Sequence, residues 1–446
     1  MRRILLFWGD VILLYLSLLL TLLLRYGHGA TFLYNLSLHW LPFTLIFGLW
    51  TLVFYISNLY EISYAQNSLA FYGTFFYSTL VNILLSIVLF YFVAIFKITP
   101  RTNLFIFLVI EMLLAVTWRY FFNRAVARGS TGNNTLILGA TPQAQELYDW
   151  LLAHPQLGYN ALGIIDVQHD QAPEVLEELI RRQNVRVLVL APATYAIPKI
   201  IDILYRLLSL KLVFFNLADF YEQASGKVPV GAIDQAWFLE NLSQGGKRAY
   251  ELAKRGFDIL FGLGLGLLTL PLQLLIILAI KWNSPGPIIY RQQRVGRAGQ
   301  SFTLVKFRTM FADAEAKSGP VWAAENDART TPVGRFIRRT RLDELPQIWN
   351  VLKGEMSFIG PRPERPEFHH KLKTEIPFYE ERYLVRPGLT GWTQIKYHLD
   401  FKGGLTIADT MEKLQYDLFY IKHRSLLFDL SILLKTLNIV ARKLFG

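Results

Sequence analysis

Five long apolar runs dominate the hydrophobic pattern of this chain. Four of them lie in the first third, at about 3–25, 40–60, 73–96 and 103–122. Each approaches the ~20 apolar residues that a helix needs to cross a bilayer. The first run is too long for a secretory signal peptide, and no small-residue cleavage site follows it. We therefore predict a four-helix transmembrane domain over residues 1–128.

The distribution of Lys and Arg around these runs predicts that both ends of this segment face the cytoplasm. Arg2 and Arg3 precede the first run, and Arg119, Arg124 and Arg128 cluster at the end of the fourth. Three cations fall on the opposite side: Arg25, Lys97 and Arg101. An even number of spans returns the chain to the side where it began, which agrees with the prediction.

A polar linker of Gly, Ser and Asn at 129–134 marks a change of pattern. Short apolar strands, among them 161–167 and 185–193, then alternate with helical patterns. This alternation predicts a parallel α/β domain within residues 129–245. Its first strand-to-helix turn lies where a Rossmann fold carries the G-x-G-x-x-G fingerprint. Of the three glycines of that fingerprint, only Gly139 is present. We therefore favour a structural or regulatory domain over a dinucleotide-binding one.

The fifth apolar run, residues 256–281, contains Pro271 near its middle and has cations on both flanks. A fifth membrane span would carry the charged C-terminal third to the face opposite the middle domain. A helix that enters the membrane, bends at Pro271 and returns agrees better with the flanking Lys254, Arg255 and Lys281. The pattern favours this re-entrant helix and leaves the fifth span as the alternative.

Charge and composition then limit the classes of ligand and site that residues 246–446 can have. This part carries 31 Lys and Arg against 19 Asp and Glu. Such a surplus suits nucleic acid, anionic headgroups or phosphorylated small molecules, and the membrane segments favour the last two. The chain has no cysteine, which excludes disulfides, zinc-thiolate sites and cysteine nucleophiles.

Two adjacent acids, Asp343 and Glu344, stand in this cationic part, within a helix-like stretch over 327–354. Ion pairs one turn apart are one explanation, since Arg339 precedes Asp343 by four residues and Arg341 precedes Glu344 by three. The other explanation is that the two acids have different roles in catalysis. One carboxylate attacks phosphorus while its neighbour holds a metal that neutralises phosphate charge. Arginines suit a diphosphate because their planar fork binds phosphate oxygens bidentately. The pattern favours phosphoryl transfer at a membrane surface.

Residues 248–446 closely resemble the bacterial sugar transferase family, the monotopic phosphoglycosyl transferases. The matching stretches are KRGFDI, the apolar run with Pro271, QQRVG, KFRTM, GRFIRRTRLDELPQIWNVLKGEMSFIGPRP and VRPGLTGWTQI. With lower specificity, the resemblance to large members of the family extends over the whole chain. It implies a membrane protein with a four-helix transmembrane bundle, a degenerate Rossmann-like α/β domain and a monotopic α+β catalytic domain whose re-entrant helix is broken at Pro271.

The resemblance implies that a sugar 1-phosphate passes from a UDP-sugar to undecaprenyl phosphate with release of UMP. Asp343 would form a covalent phosphosugar-aspartate, and Glu344 would bind Mg²⁺. The residues expected to meet substrate phosphates or nucleotide are Arg338, Lys306, Arg308, Arg362 and Arg386. The residues expected to shape the site are Pro271, Pro361, Pro363 and Arg294.

The same resemblance implies the cellular context. We expect a multi-pass protein of the bacterial cytoplasmic membrane, with its catalytic domain on the cytoplasmic face, that initiates exopolysaccharide, capsule or O-antigen synthesis. Its expected partners are membrane lipid, a second copy of the chain and downstream glycosyltransferases, with no nucleic acid. Glucose or galactose is the expected sugar. The competing hypotheses are a glycosyltransferase that releases UDP, a nucleotide-sugar dehydratase or oxidoreductase, and a non-catalytic scaffold that binds anionic lipid.

Overall fold

The computed structural model describes the 446-residue chain except for residues 1, 63–64, 66, 93–100, 129–132, 168–171, 211, 243–246, 312–328, 398–405 and 446. The chain divides into two compact units, Met1–Leu217 and Ala218–Gly446. Residues 129–132 of the predicted linker and the predicted domain boundary at 245/246 lie outside the described residues.

Four long apolar helices begin the first unit: α1 (Arg2–Tyr26), α2 (Ala30–Ile56), α3 (Leu69–Phe92) and α4 (Arg101–Arg128). Each contains a stretch that is long and apolar enough to cross a membrane. They share one core rich in aromatic side chains, in which Phe43, Trp50, Phe75 and Phe107 are fully buried. The four predicted apolar helices are thus confirmed, although the end predicted for the third, at 93–96, lies outside the described residues.

A buried ion pair ties α1 to α4 inside this core. Arg119 donates a hydrogen bond to Asp10 and a second one, of 2.7 Å, to the carbonyl oxygen of Leu59. Separating such a pair is costly, because it leaves an unpaired charge in an apolar setting. Arg119 therefore belongs to the helix core, and the predicted orientation rests on the remaining flanking cations.

The first unit continues with an α/β region. Its elements are β1 (Asn133–Leu138), α5 (Pro142–Ala153), β2 (Tyr159–Ile165), α6 (Ala172–Arg182), β3 (Val187–Leu190), α7 (Pro198–Arg206) and β4 (Val213–Asn216). The strands form a parallel sheet in the order β2-β1-β3-β4, which confirms the predicted parallel α/β arrangement. Gly139 has a φ of +101°, and a Cβ there would lie 2.7 Å from the Cβ of Ala191. This glycine therefore serves the close packing of β1 and β3.

The second unit combines many helices with two small sheets. Its elements are α8 (Leu217–Ser225), α9 (Gln235–Asn241), α10 (Arg248–Asn283), β5 (Ile289–Val295), β6 (Ser301–Phe307), α11 (Pro332–Arg339), α12 (Ile348–Lys353), β7 (Ser357–Ile359), α13 (Pro366–Glu375), β8 (Gly388–Thr390), α14 (Trp392–Lys396), α15 (Ile407–His423) and α16 (Leu426–Phe445). Strands β5 and β6 form an antiparallel hairpin, and β7 pairs with β8 in parallel. The unit begins well before the predicted boundary because Val228, Val230 and Leu242 are buried in its core.

The first half of α10 is anchored to the second unit by polar contacts. Lys254 pairs with Asp429 at 2.6 Å. One turn later, Asp258 accepts hydrogen bonds from the Ser357 hydroxyl at 3.0 Å and from the backbone N–H of Phe358 at 3.2 Å. These contacts explain why charged residues interrupt the start of an otherwise apolar run.

The second half of α10 packs on the same unit through apolar contacts. Ile276 and Ile280 are buried in a cluster with Phe307 and Ile337. The helix continues through the exposed Pro271 without interruption, so the predicted break is not visible as a gap in the helix. Many leucines of α10 are nevertheless largely exposed: Leu260, Leu263, Leu267, Leu268, Leu274, Leu275 and Leu278.

Candidate active site

A sharp change of helix type places the two acids. Helix α11 ends at Arg339, and the hydroxyl of Thr340 donates to the carbonyl oxygen of Phe336 at 2.9 Å. Arg341 then adopts a left-handed conformation with a φ of 58°, and a 3-10 turn follows over Leu342–Gln347. The helix-like stretch predicted over 327–354 is therefore interrupted at Arg341. Pro346 in the turn lacks the N–H that a continuing α-helix requires.

The two carboxylates have different surroundings. Asp343 is only 7% exposed. Glu344 accepts a hydrogen bond of 2.8 Å from Arg362 and lies 3.9 Å from Arg341. One of the two ion pairs considered from the sequence is therefore present. The other, between Arg339 and Asp343, is absent from the ion pairs among the described residues.

Burial and charge separate the pKa values of the two acids. Burial raises the pKa of Asp343 to about 6, the charge of Glu344 adds to the rise, and Lys306 opposes it. Burial would also raise the pKa of Glu344, but Arg362 and Arg341 outweigh it and lower that pKa below its usual value. At neutral pH both acids are ionised, and Asp343 is the more basic carboxylate, as suits a nucleophile.

Cations from two other elements face this acid pair. Lys306 on β6 lies opposite Tyr290 on β5, with its ammonium 5.2 Å from the Tyr ring centre. Burial lowers the pKa of Lys306, and the charge of Asp343 acts against that shift. Arg338 at the end of α11 also lowers the pKa of Asp343. The structure thus brings Lys306 and Arg338 into the electrostatic field of the predicted nucleophile.

The Pro-Arg-Pro loop that carries Arg362 is held by its backbone. The carbonyl oxygen of Pro361 accepts a hydrogen bond of 2.9 Å from the N–H of Gly388. The next two carbonyl oxygens accept from guanidinium groups: that of Arg362 from Arg382 at 3.0 Å, and that of Pro363 from Arg294 at 3.3 Å. The structure therefore brings Pro361, Pro363 and Arg294 together around Arg362.

Close approach of two loops fixes this arrangement further. A Cβ on Gly388 would lie 2.1 Å from the backbone nitrogen of Gly360, so a larger residue would push the loops apart. These glycines belong to the IGPRP and VRPGLTG stretches. Their small size lets β8 support the segment that precedes Arg362.

Arg382 is a supporting residue that the sequence reasoning missed. It is buried, pairs with Asp417 on α15 at 2.8 Å and donates to the hydroxyl of Tyr379 at 2.7 Å. Its guanidinium also donates to the carbonyl oxygen of Arg362, as described above. A buried Asp inside the apolar pattern of α15 was the available signal, since such a residue needs a cationic partner.

Asn350 is a second supporting residue whose role was not predicted from the sequence. Its side-chain oxygen accepts from the N–H of Val305 at 3.1 Å, and its amide nitrogen donates to the carbonyl of Thr303 at 2.8 Å. The side chain therefore mimics a neighbouring strand along the free edge of β6. This contact holds the strand that carries Lys306 against α12.

The structure does not bring two of the predicted phosphate-binding arginines to the acid pair. Arg308 is buried, and its guanidinium donates to the carbonyl of Pro285 at 2.7 Å and to the carbonyl and hydroxyl of Ser284, both at 2.8 Å. It therefore binds the two residues that directly follow α10. Arg386 donates instead to the carbonyl of Gly354 at 3.1 Å, at the end of α12. Pro271 lies exposed within α10.

The acid pair is also the best candidate for a metal site. Among the described residues, no group of three or more His, Asp or Glu side chains could hold a metal ion. Mg²⁺ often uses only one or two protein carboxylates and completes its octahedron with water and substrate phosphates. Glu344 supplies such a hard oxygen ligand next to Asp343, so this site fits a magnesium ion that is bound together with a diphosphate.

Comparisons with known proteins agree with this chemistry. The family model described as bacterial sugar transferase matches residues 249–443, and one described as CoA-binding domain matches residues 55–209. The chain is 32% identical to a UDP-glucose:undecaprenyl-phosphate glucose-1-phosphate transferase of Xanthomonas campestris pv. campestris. That match extends over 344 residues, which are 71% of this chain and 68% of the relative.

Two further relatives match shorter parts of the chain. One is the UDP-N-acetylgalactosamine-undecaprenyl-phosphate N-acetylgalactosaminephosphotransferase of Aeromonas hydrophila, 43% identical over 191 residues, which are 43% of this chain and 44% of the relative. The other is the UDP-glucose:undecaprenyl-phosphate glucose-1-phosphate transferase of Escherichia coli (strain K12), 42% identical over 186 residues, which are 42% of this chain and 39% of the relative. Both matches span less than half of the relative's length.

Proposed function

The chain belongs to the bacterial sugar transferase family, and from this premise we propose that it transfers a sugar 1-phosphate from a UDP-sugar to undecaprenyl phosphate and releases UMP. The relatives are named for reactions of this class. The observation that carries the proposal is the contrast between two adjacent acids. Asp343 is buried with a raised pKa, whereas Glu344 is kept ionised by Arg362.

Two displacements at one phosphorus account for the reaction. A carboxylate oxygen of Asp343 attacks the phosphorus that bears the sugar, the bond from that phosphorus to the bridging oxygen breaks, and UMP leaves with that oxygen. An oxygen of undecaprenyl phosphate then attacks the same phosphorus, and the bond to Asp343 breaks. Neither step touches the bond between the sugar and its phosphate oxygen, so the anomeric configuration is retained.

The surrounding cations supply the charge that these steps require. Arg362, Lys306 and Arg338 all act electrostatically on Asp343 and would stabilise the negative charge on the phosphoryl oxygens. Mg²⁺ held by Glu344 would add positive charge at the diphosphate. Arg362 is positioned before substrate arrives, because its backbone is fixed by Arg382 and its guanidinium by Glu344.

We further propose that α10 enters one leaflet of the cytoplasmic membrane and does not cross it. Asp258 before Pro271 and Ile280 after it contact the same compact unit. A crossing helix would carry one of these contacts to the other side of the bilayer. The exposed leucines of α10 would then face lipid, with the active site open to cytoplasmic UDP-sugars. A tag after residue 283 should be cytoplasmic, and a periplasmic tag would overturn this topology.

Nucleotide release from purified protein tests the function against its competitors. With a UDP-sugar, Mg²⁺ and polyprenyl phosphate, we expect UMP, with UDP-glucose and UDP-galactose as the first donors to assay. Release of UDP would instead indicate a glycosyltransferase that moves the sugar without its phosphate. Absence of nucleotide release with every donor would leave a lipid-binding scaffold as the better account.

A further inference from the structure

An apolar groove with a volume of about 500 Å³ lies between α10 and α11. Every residue that lines it is apolar. Those that matter here are Leu275, Ile276 and Ala279 of α10, Val333 and Phe336 of α11, and Leu342. Ile276 forms part of its buried floor, whereas Leu275 and Phe336 at its rim are 64% and 63% exposed. The groove therefore opens onto the apolar outer face of α10.

The position of Leu342 connects this groove to the chemistry. Leu342 lines the groove and directly precedes Asp343 in the 3-10 turn. A molecule with a phosphate at Asp343 and a hydrocarbon tail can therefore place the tail in the groove without burying a polar group. The UDP-sugar has no such tail, so the groove matches the other substrate.

We propose that this groove seats the first isoprene units of the polyprenyl phosphate acceptor, which rests on the function proposed above. The groove volume is that of a site for a drug-sized molecule. It therefore holds only the start of a long polyprenyl chain, and the remainder passes the exposed Leu275 and Phe336 into the bilayer. Since each buried CH₂ group raises affinity about fourfold, these first units dominate recognition of the acceptor.

The proposal predicts how acceptor length affects the reaction. With polyprenyl phosphates of increasing length in one detergent, kcat/KM should rise steeply over the first few isoprene units and then level off. A steady rise of kcat/KM up to the full-length chain would show that partition of the acceptor into the micelle determines the rate, and would overturn the proposal. The levelling point marks where the chain leaves the groove.

A matched pair of variants tests the location. Ala279→Trp fills the groove, whereas Leu278→Trp places the same indole side chain on the exposed outer face of α10. We expect A279W to raise the KM for the acceptor at least tenfold and L278W to leave it within twofold. Leu275→Trp at the exposed rim tests the same groove without disturbing a buried contact, and thermal melting identifies any variant that has not folded.

Photolabelling separates this proposal from the function on which it rests. A farnesyl phosphate carrying a diazirine on its second isoprene unit should label peptides of α10 and α11, and A279W should reduce that labelling at least tenfold. Labelling without UMP release would support the groove and contradict the proposed reaction. UMP release with labelling elsewhere, or labelling unchanged in A279W, would overturn the groove proposal alone.

Discussion

The guanidinium of Arg362 and the carboxylate of Glu344 lie 2.8 Å apart, although the two residues are 18 positions apart in the chain. This contact gives the two adjacent acids different properties. Glu344 stays ionised because the positive charges of Arg362 and Arg341 stabilise its carboxylate. The negative charge of Glu344 in turn helps to raise the pKa of Asp343. A loop that the sequence places downstream of the acids thus completes their site.

Arg362→Lys keeps the charge of this contact but removes the planar fork. We expect kcat for UMP release to fall by roughly 10²-fold, because a lysine cannot hold Glu344 and a phosphate oxygen in the same geometry. Arg291→Lys on the exposed side of β5 is the matched control and should retain normal turnover. Turnover of R362K close to that of the wild type would show that only the net charge matters.

Asp343→Asn should stabilise the protein in a pH-dependent way. Because the folded-state pKa of Asp343 is raised to about 6, the contribution of this group to stability is greatest below pH 4 and is lost as the pH rises through 6. An asparagine does not carry this charge. At pH 7.5 the variant should therefore be more stable by about 1–3 kcal/mol, since a tenfold change in proton affinity on folding corresponds to about 1.4 kcal/mol.

Thermal melting in detergent at pH 4 and pH 7.5 measures this difference. The melting temperatures of D343N and wild type should converge at the lower pH and separate at the higher one. Glu344→Gln is the control with the opposite sign, since its pKa is lowered and its ion pair stabilises the fold above pH 4. A constant difference between D343N and wild type across this range would contradict the raised pKa.

Arg382 should affect catalysis through the position of Arg362. Arg382→Met leaves Asp417 buried without its partner and should destabilise the protein by about 3–5 kcal/mol. The double variant Arg382→Met with Asp417→Leu should recover most of that stability, because an apolar pair can replace a buried ion pair. Its kcat should nevertheless stay reduced, since the carbonyl of Arg362 has lost its donor. Full recovery of kcat in the double variant would show that Arg382 only stabilises the fold.

Arg308 offers a test between the role expected from its motif and the role indicated by its contacts. Because its guanidinium holds the carbonyls of Ser284 and Pro285, Arg308→Lys should lower the melting temperature by several degrees. The KM for the UDP-sugar should change by less than twofold. A large rise in that KM with unchanged melting would restore Arg308 as a phosphate ligand.

The hydrophobic pattern predicted the elements that depend on local sequence. The first four apolar helices and the parallel sheet were confirmed because length, apolar runs and alternating strands determine them. The acid pair was also recognisable, since two adjacent carboxylates in a cationic stretch are unusual. The turn that presents it was not, because the left-handed Arg341 interrupts a pattern that otherwise reads as helix.

The distant partners of the arginines could not be predicted from the sequence. Arg308, Arg362 and Arg382 look alike in the sequence, yet Arg308 binds the segment that follows α10, Arg362 pairs with Glu344, and Arg382 supports a loop. Each role depends on a contact with a residue 18 or more positions away, which no local pattern encodes. Asn350 was missed for the same reason, since its contacts with β6 bridge more than 40 residues.

Intact mass of the protein after exposure to a UDP-sugar, with Mg²⁺ and without acceptor, tests the central claim most directly. The wild type should gain the mass of one sugar phosphate, lose it when polyprenyl phosphate is added, and release one UMP for each adduct. D343N should gain nothing, whereas L278W should behave like the wild type. An adduct or sustained turnover in D343N would contradict the role of Asp343 as the nucleophile.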